Sequence, residues 1–506
     1  MNFMSQNAAA KSSDIIIAVF LVLFAVISFV GFIVLLCRNT DNENEIKRGG
    51  LIFLGIFGFG FAIRLVFALC VRGYRADYAL FSNMFDNLKL NGLNDYYNGD
   101  ASSVLYPIVY FIYLIFGGLS NVMGLSSYSL GMQFMIKLPM IAADLITALF
   151  VYKCAAKYVN KNIAAVLCAF VCICPIFFIG SSVWGTPLVF TVMFACGGCY
   201  FMARKNYIAT IAFMTAAAFS SKEGIYLFPV VAVFAVWHFA KAISNIAADK
   251  PSGAKLLGND YRAAITVPIG FIASIVCAYL IGLFMTASYN ANPFVYIYEF
   301  LLYPLVGWKN FTFNGLSVYS IFNQNGAVPS ARFPSWLFAC IFGAIIVAVV
   351  CVVYFTKRNR ATMVMLAAYS CFTLQVYYPG SNAVGFVGVL ALLVTAYALV
   401  RDKRILTVLF ITGLAFTVNS ITVLSNAGYL NNLGDYNFGS EETLLNGGMN
   451  AVCIVCSVAT LLMHLYFTVI AVGVGMTGQK RMLRHADGLL PSVREYVSIK
   501  KDRVKE

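Results

Sequence analysis

Thirteen mostly apolar runs dominate the chain, near residues 14–37, 51–71, 136–152, 162–180, 187–203, 206–221, 225–240, 263–285, 336–355, 361–378, 383–400, 405–424 and 448–472. A helix needs about 20 such residues to cross a hydrocarbon core about 30 Å thick, and a bilayer admits only helices or closed barrels. With 61% hydrophobic and 11% charged residues, the chain carries more apolar surface than a soluble domain can hide, so lipid must be its solvent. The expected fold is therefore all-α and polytopic, with about 13 transmembrane helices. The stretch 206–240 also reads as one helical hairpin that stops short of crossing. The first run is too long for a signal-peptide core, has only Lys11 ahead of it and lacks a small-residue cleavage site, so it is expected to be a retained span.

The net charge of +14 does not imply a nucleic-acid partner, because the basic residues cluster at the ends of apolar runs. Alternating the runs across a membrane puts 26 of the 35 Lys and Arg on one side. That predicts a multi-pass cell-membrane protein with its amino terminus extracytoplasmic and its carboxyl terminus cytoplasmic. Residues 1–476 form the membrane domain, and 477–506 a basic tail suited to anionic headgroups. One further apolar segment, "VLYPIVYFIYLIFGGL", would invert every later loop if counted as a span. It is read instead as an interfacial or re-entrant helix of a first extracytoplasmic loop, about 72–135. The fourteen cysteines lie mostly within apolar runs. Pairs such as Cys172/Cys174 and Cys196/Cys199 have metal-like spacing but no polar setting, so no metal or other cofactor is expected.

The chemistry-bearing residues concentrate on the outer side. "GYRADYALFSNMFDNLKLNGLNDYY" begins at Gly73, just after the second run, and places Asp77 at the rim of the bilayer. A partly desolvated carboxylate there suits a general base, although Asp77 also reads as the N-cap of a helix with apolar positions 80, 81, 84, 85 and 88. Arg64 lies inside the second run, as a functional charge or a snorkelling one. Lys137 and Asp144 share one face of "IKLPMIAADLITALF", the first near enough to the outer end to meet an anionic headgroup, the second deep enough to bond a neighbouring helix. Lys222 in "SSKEGIYLFP" can hold a phosphate as a point charge or be a solvated turn residue. Trp184 in "SSVWGTP" can be a membrane-belt residue, and Arg332 is a weaker outer cation.

In order, these segments resemble the GT-C superfamily of membrane glycosyltransferases, and most nearly the bacterial mannosyltransferases related to the second GPI mannosyltransferase. The likeness runs from about Leu54 to Val400 and rests on several short elements. They are the early outer Asp77, "NGLNDYY", the Tyr106-Pro107 opening of "LYPIVYFIYLIFGG", the Lys137-x-Pro139-x-x-x-x-Asp144 element, "CPIFFIGSSVWGTPL", "KEGIYLFP" and "FTFNGLSVYSIF". Thr186 and Leu188 stand where the family has Gln and Asp, and "QVYYPGSN" stands where it has His-Glu-Arg-Tyr.

The resemblance implies an inverting transfer of a mannose-like hexose from a polyprenyl phosphate to an extracytoplasmic glycan, lipid or protein acceptor. Asp77 would take the acceptor's proton. Lys222, with Arg75 or Arg332, would stabilise the departing lipid phosphate. Arg64, Tyr106, Lys137, Asp144 and Trp184 would line the substrate groove. The competing expectations are a transporter, with Arg64 and Asp144 along its path, and a non-catalytic component of envelope polysaccharide assembly.

Overall fold

The computed structural model describes residues 2–40, 49–91, 106–126, 129–248, 259–286, 292–298, 310–329, 335–357, 360–426, 444–445 and 447–477. Arg332 and the tail beyond 477 lie outside them. The protein is helical almost throughout. Its helices are α1 (Asn2–Thr40), α2 (Gly49–Cys70), α3 (Arg75–Asn91), α4 (Pro107–Val122), α5 (Leu130–Ala155), α6 (Lys161–Ile173), α7 (Pro175–Phe178), α8 (Leu188–Ala203) and α9 (Tyr207–Ala218). They continue as α10 (Phe228–Ala247), α11 (Asn259–Thr286), α12 (Pro293–Ile297), α13 (Val318–Ile321), α14 (Ser335–Lys357), α15 (Arg360–Tyr377), α16 (Phe386–Val400), α17 (Arg404–Asn426) and α18 (Gly447–Thr477).

Each of the thirteen apolar runs coincides with helix. Among the described residues, seven helical segments are long and apolar enough to cross a membrane, and eight if one bent pair counts as a single span. Helices such as α8, α9 and α16 are apolar but only 12 to 16 residues long. At 1.5 Å per residue they reach about 18–24 Å, short of a full hydrocarbon core. The structure thus establishes a multi-pass, membrane-embedded all-α architecture.

The bent pair, 161–173 with 175–184, turns by 54°. Pro175 supplies the cause, since it has no N–H for the carbonyl of Val171 and its ring crowds that carbonyl. The chain resumes as α7 and then as one π-helical turn, Ile179–Trp184, closed by Gly185 at φ +80°. This break is buried in the main core, beside α1 and α17. There Phe32 stacks on Phe170 at 4.1 Å, and Phe29 meets Phe410 at 4.5 Å. On the other side α8 and α9 meet closely, because Gly197 and Gly198 leave room for Phe213 and Met214.

A second, separate core lies beneath α3 and α4. Tyr78, Phe81, Met84 and Phe85 of α3 pack on Val109, Tyr110 and Tyr113 of α4, and both helices rest on Ile136 and Met140 of α5. Of the positions that the 3.6-residue period marks on α3, Phe81, Met84 and Phe85 are buried here and Leu80 and Leu88 partly so, while Tyr78 joins them unmarked. Tyr113 satisfies its hydroxyl on the Ile136 carbonyl at 2.5 Å. Two short parallel strands, β1 (Thr312–Phe313) and β2 (Ser381–Asn382), tie the two loops that follow α12 and α15.

Candidate functional site

Asp77 occupies the first turn of α3, two residues after its start, so it is not the N-cap that its position suggested. A carboxylate there is favoured by the helix macrodipole by about 0.3–1 kcal/mol. It is half-buried, and one oxygen accepts from Trp184 Nε1 at 2.8 Å. Trp184 is no belt residue. It is 4% exposed, stacks on Tyr74 at 4.5 Å, and accepts the Tyr74 N–H on its own carbonyl at 2.8 Å. Gly73, at φ +105°, makes the approach possible, since a Cβ there would lie 2.3 Å from the Trp184 carbonyl oxygen.

Two side chains of α5 hold this junction. The last carbonyls of a helix have no intrahelical donor, and here the buried Val71 just past α2 meets the buried π-turn. Gln133 Nε2 donates to the carbonyls of Ala68 (2.6 Å) and Val71 (2.8 Å). Lys137 Nζ donates to Val71 (2.6 Å), Ser182 (2.8 Å) and Val183 (3.4 Å). Lys137 is only 1% exposed, so the expectation that it meets a headgroup is corrected. Its charge caps two converging chain ends. Gln133 was overlooked in the sequence, although it sits one turn before Lys137 on the same face.

Arg64 and Asp144 lie deeper. Arg64 is fully buried, with Nε 3.4 Å from Asp144 Oδ2. Its other nitrogens donate to the carbonyls of Gly60 (3.3 Å), Val171 (3.1 Å) and Cys172. Arg64 therefore supplies the N–H that Pro175 withholds from Val171, and the snorkelling reading is corrected. Ser181, on the π-turn, donates to the same Asp144 oxygen. Asp144 bonds its neighbouring segments as expected. Both charges are buried, Asp144 being 4% exposed.

Lys222 returns to the same end of the bundle as Trp184. α8 runs away from that end and α9 runs back, and Thr191 Oγ1 donates to Ser221 Oγ at 2.8 Å. Lys222 opens a 3-10 turn (Lys222–Leu227), is half-buried, and donates to the Gly380 carbonyl. Gly380 in turn donates to the Phe311 carbonyl at 2.8 Å. Behind that strand pair, Asn314 adopts the left-handed conformation at φ +53°. It accepts from Asn325 Nδ2 (2.8 Å), the Leu445 N–H (3.0 Å) and Asn419 Nδ2 (2.7 Å). The sequence element around "FTFNGLS" is thus a knot of loops, an arrangement its residue spacing does not reveal.

Tyr106 joins the two regions. It precedes α4 against the Lys222 turn, and the Ile108 N–H donates to the Phe219 carbonyl at 3.2 Å, while α4 packs on the helix that carries Asp77. Burial and the nearby Glu223 carboxylate push the Tyr106 phenol up, opposed by the Lys222 backbone N–H. Beside this turn a cavity of about 20 Å³, room for about one water, is lined by Thr191, Glu223, Tyr226 and Gln375 among others. Gln375 Nε2 is buried there without a hydrogen-bond acceptor among the described residues. Arg75, half-buried, sits two residues before Asp77. Lys222 makes no hydrogen bond or ion pair with Asp77 among the described residues.

No group of three His, Cys, Asp or Glu side chains among the described residues is placed to hold a metal ion. The cysteine pairs that mimic metal spacing, Cys172/Cys174, Cys196/Cys199 and Cys453/Cys456, are buried thiols. No protein-family model matches the chain, and no curated protein matches it.

Proposed function

We propose that the protein is an inverting, polyprenyl-phosphate-sugar-dependent glycosyltransferase of the GT-C type. On the proposed topology the thirteen apolar segments cross in turn, the short helices α8, α9 and α16 through a locally thinned bilayer, and α3 and α4 lie on the extracytoplasmic face. The observation that carries it is the setting of Asp77: a half-buried carboxylate at a helix start, oriented by the Trp184 indole N–H. The indole N–H is a donor that fixes the direction of the carboxylate oxygen it meets. That is the arrangement a general base needs.

In the proposed reaction the acceptor hydroxyl forms a bond to the anomeric carbon as the bond from that carbon to the phosphate oxygen breaks. The hydroxyl proton passes to Asp77, and the electron pair leaves with the lipid phosphate. A phosphate is already a good leaving group, so positive charge is enough to assist it. Lys222 and Arg75 supply that charge, with Arg332 as a further cation from the outer loops. The apolar surface between α3, α4 and the bundle would take the prenyl chain.

The buried Arg64–Asp144 pair offers little to a transporter reading. A non-catalytic role in envelope polysaccharide assembly has one observation in its favour. Thr186, where the related enzymes carry Gln, is buried and accepts the Leu188 N–H at 3.4 Å, a local structural task. Purified protein given polyprenyl-phosphate hexoses and a glycan acceptor decides between the two. Release of polyprenyl phosphate, lost in a folded Asp77→Asn variant, supports the enzyme. Undiminished turnover in Asp77→Asn, or no turnover by the wild type, rejects it.

A further inference from the structure

At the end of the bundle away from Asp77, the carboxyl termini of α5 and α8 flank a cleft of about 590 Å³ lined by Tyr152, Lys153, Ala156, Lys157, Tyr200 and Arg204. That volume falls within the range of about 300–1,000 Å³ usual for ligand pockets. Three of the six lining residues are cations, and none is a carboxylate. Lys153 and Arg204 make no ion pair among the described residues.

The cations are partly fixed in place. Lys157 Nζ donates to the Ala203 carbonyl at 3.2 Å, and the Arg204 guanidinium lies 4.7 Å from the Tyr200 ring centre. Tyr152 is braced by Phe53 of α2 at 4.8 Å, and Tyr200 is 8% exposed.

Cations at helix carboxyl termini are often explained by the macrodipole alone. Two helix ends of about −0.5 charge each offset only about one of the two positive charges of Lys153 and Arg204, leaving a surplus of about one. A cleft carrying that surplus, with phenols in its walls and a small alanine in its lining, matches a phosphate group. Arg and Lys bind phosphate through charge-assisted hydrogen bonds, and a neutral phenol can add a further donor. Basic pockets between helices at a membrane surface also take anionic headgroups.

We propose that the cleft between the ends of α5 and α8 is a binding site for a phosphate group, presented by an anionic phospholipid or by a soluble phosphate compound. This site is separate from the Asp77 region, and its test does not involve glycosyl transfer.

The test uses the full chain and two variants, Lys153→Gln/Lys157→Gln/Arg204→Gln and Lys153→Gln/Arg204→Gln. The second keeps the Lys157 contact to Ala203 in case the triple variant does not fold. Each is reconstituted in phosphatidylcholine nanodiscs containing phosphatidylglycerol, then extracted for native mass spectrometry of retained lipid. Each is also titrated with pyrophosphate in maltoside micelles, following tyrosine fluorescence. Retention of phosphatidylglycerol that drops about tenfold in the folded variants, with phosphatidylcholine unchanged, identifies a lipid phosphate. Pyrophosphate binding weakened about tenfold in the variants identifies a soluble one. Equal behaviour of wild type and variants toward both probes, or no binding of either by the wild type, overturns the proposal.

Discussion

Trp184 Nε1 donates to Asp77 at 2.8 Å across 107 residues of sequence, and the same tryptophan accepts the Tyr74 N–H on its carbonyl. The π-turn and the start of α3 are therefore joined twice, once through side chains and once through backbone. Only the side-chain bond bears on the direction of the carboxylate.

Removing that bond separates positioning from folding. Trp184→Phe keeps an aromatic ring against Tyr74 and deletes the N–H. A hydrogen bond to a charged group is worth about 1.5–3 kcal/mol, so kcat is expected to fall about 10- to 100-fold. KM for the lipid-linked sugar should change little. Steady-state kinetics of polyprenyl phosphate release check this, and an unchanged kcat would remove the indole from any role in orienting the base.

Lys137 is expected to matter for stability before chemistry. Lys137→Met leaves the carbonyls of Ser182 and Val183 without the donor that now reaches them, while Gln133 still serves Val71. Each unsatisfied buried carbonyl costs about 1–3 kcal/mol, so a loss of about 2–6 kcal/mol is expected for the two. Denaturant unfolding in detergent measures it. Lys137→Gln, which retains a shorter donor, should lose less.

The Arg64–Asp144 pair calls for a double-mutant cycle. Arg64→Met strands a buried carboxylate together with the carbonyls of Val171 and Cys172, and should cost about 3–5 kcal/mol. Asp144→Asn keeps an acceptor for Ser181 but leaves Arg64 without its counter-charge. The double variant should lose clearly less than the two single losses added together, because each single change leaves one charge buried alone. Strict additivity in equilibrium unfolding would mean that the two charges do not stabilise each other.

Tyr319 in the short helix α13 gives a pH signature. Burial pushes its phenol up to about 12, and the hydroxyl donates to the Tyr377 carbonyl at 3.1 Å. The folded protein thus holds this proton above the ordinary value of 10 at which the unfolded chain releases it. The stabilisation is complete below pH 10 and is lost as pH rises from 10 toward 12. Melting temperature measured across that window should fall less steeply in Tyr319→Phe than in the wild type. Equal slopes would show that this phenol does not contribute.

Several residues of the candidate site stand out in the sequence, because charged and polar residues are conspicuous against an apolar background. Asp77, Lys137, Asp144, Trp184 and Lys222 stand out in that way. Their tasks were less readable. Lys137 and Trp184 occupy positions where lipid contact is the ordinary expectation, yet both are turned inward by bonds to segments 45 and 107 residues away. Gln133 escaped notice because a lone amide on an apolar helix carries no charge to mark it.

The sequence by itself determined that this is a polytopic helical membrane protein and that its cations gather at the ends of apolar runs. Both follow from composition and the length of apolar runs, which act locally and need no knowledge of the fold. Only the tertiary structure decided which buried charges are paired, which carbonyls they serve and how Asp77 is oriented. Those outcomes depend on where Pro175 breaks its helix and where α2 ends, so that distant donors must meet the orphaned carbonyls inside a medium that offers no water in their place.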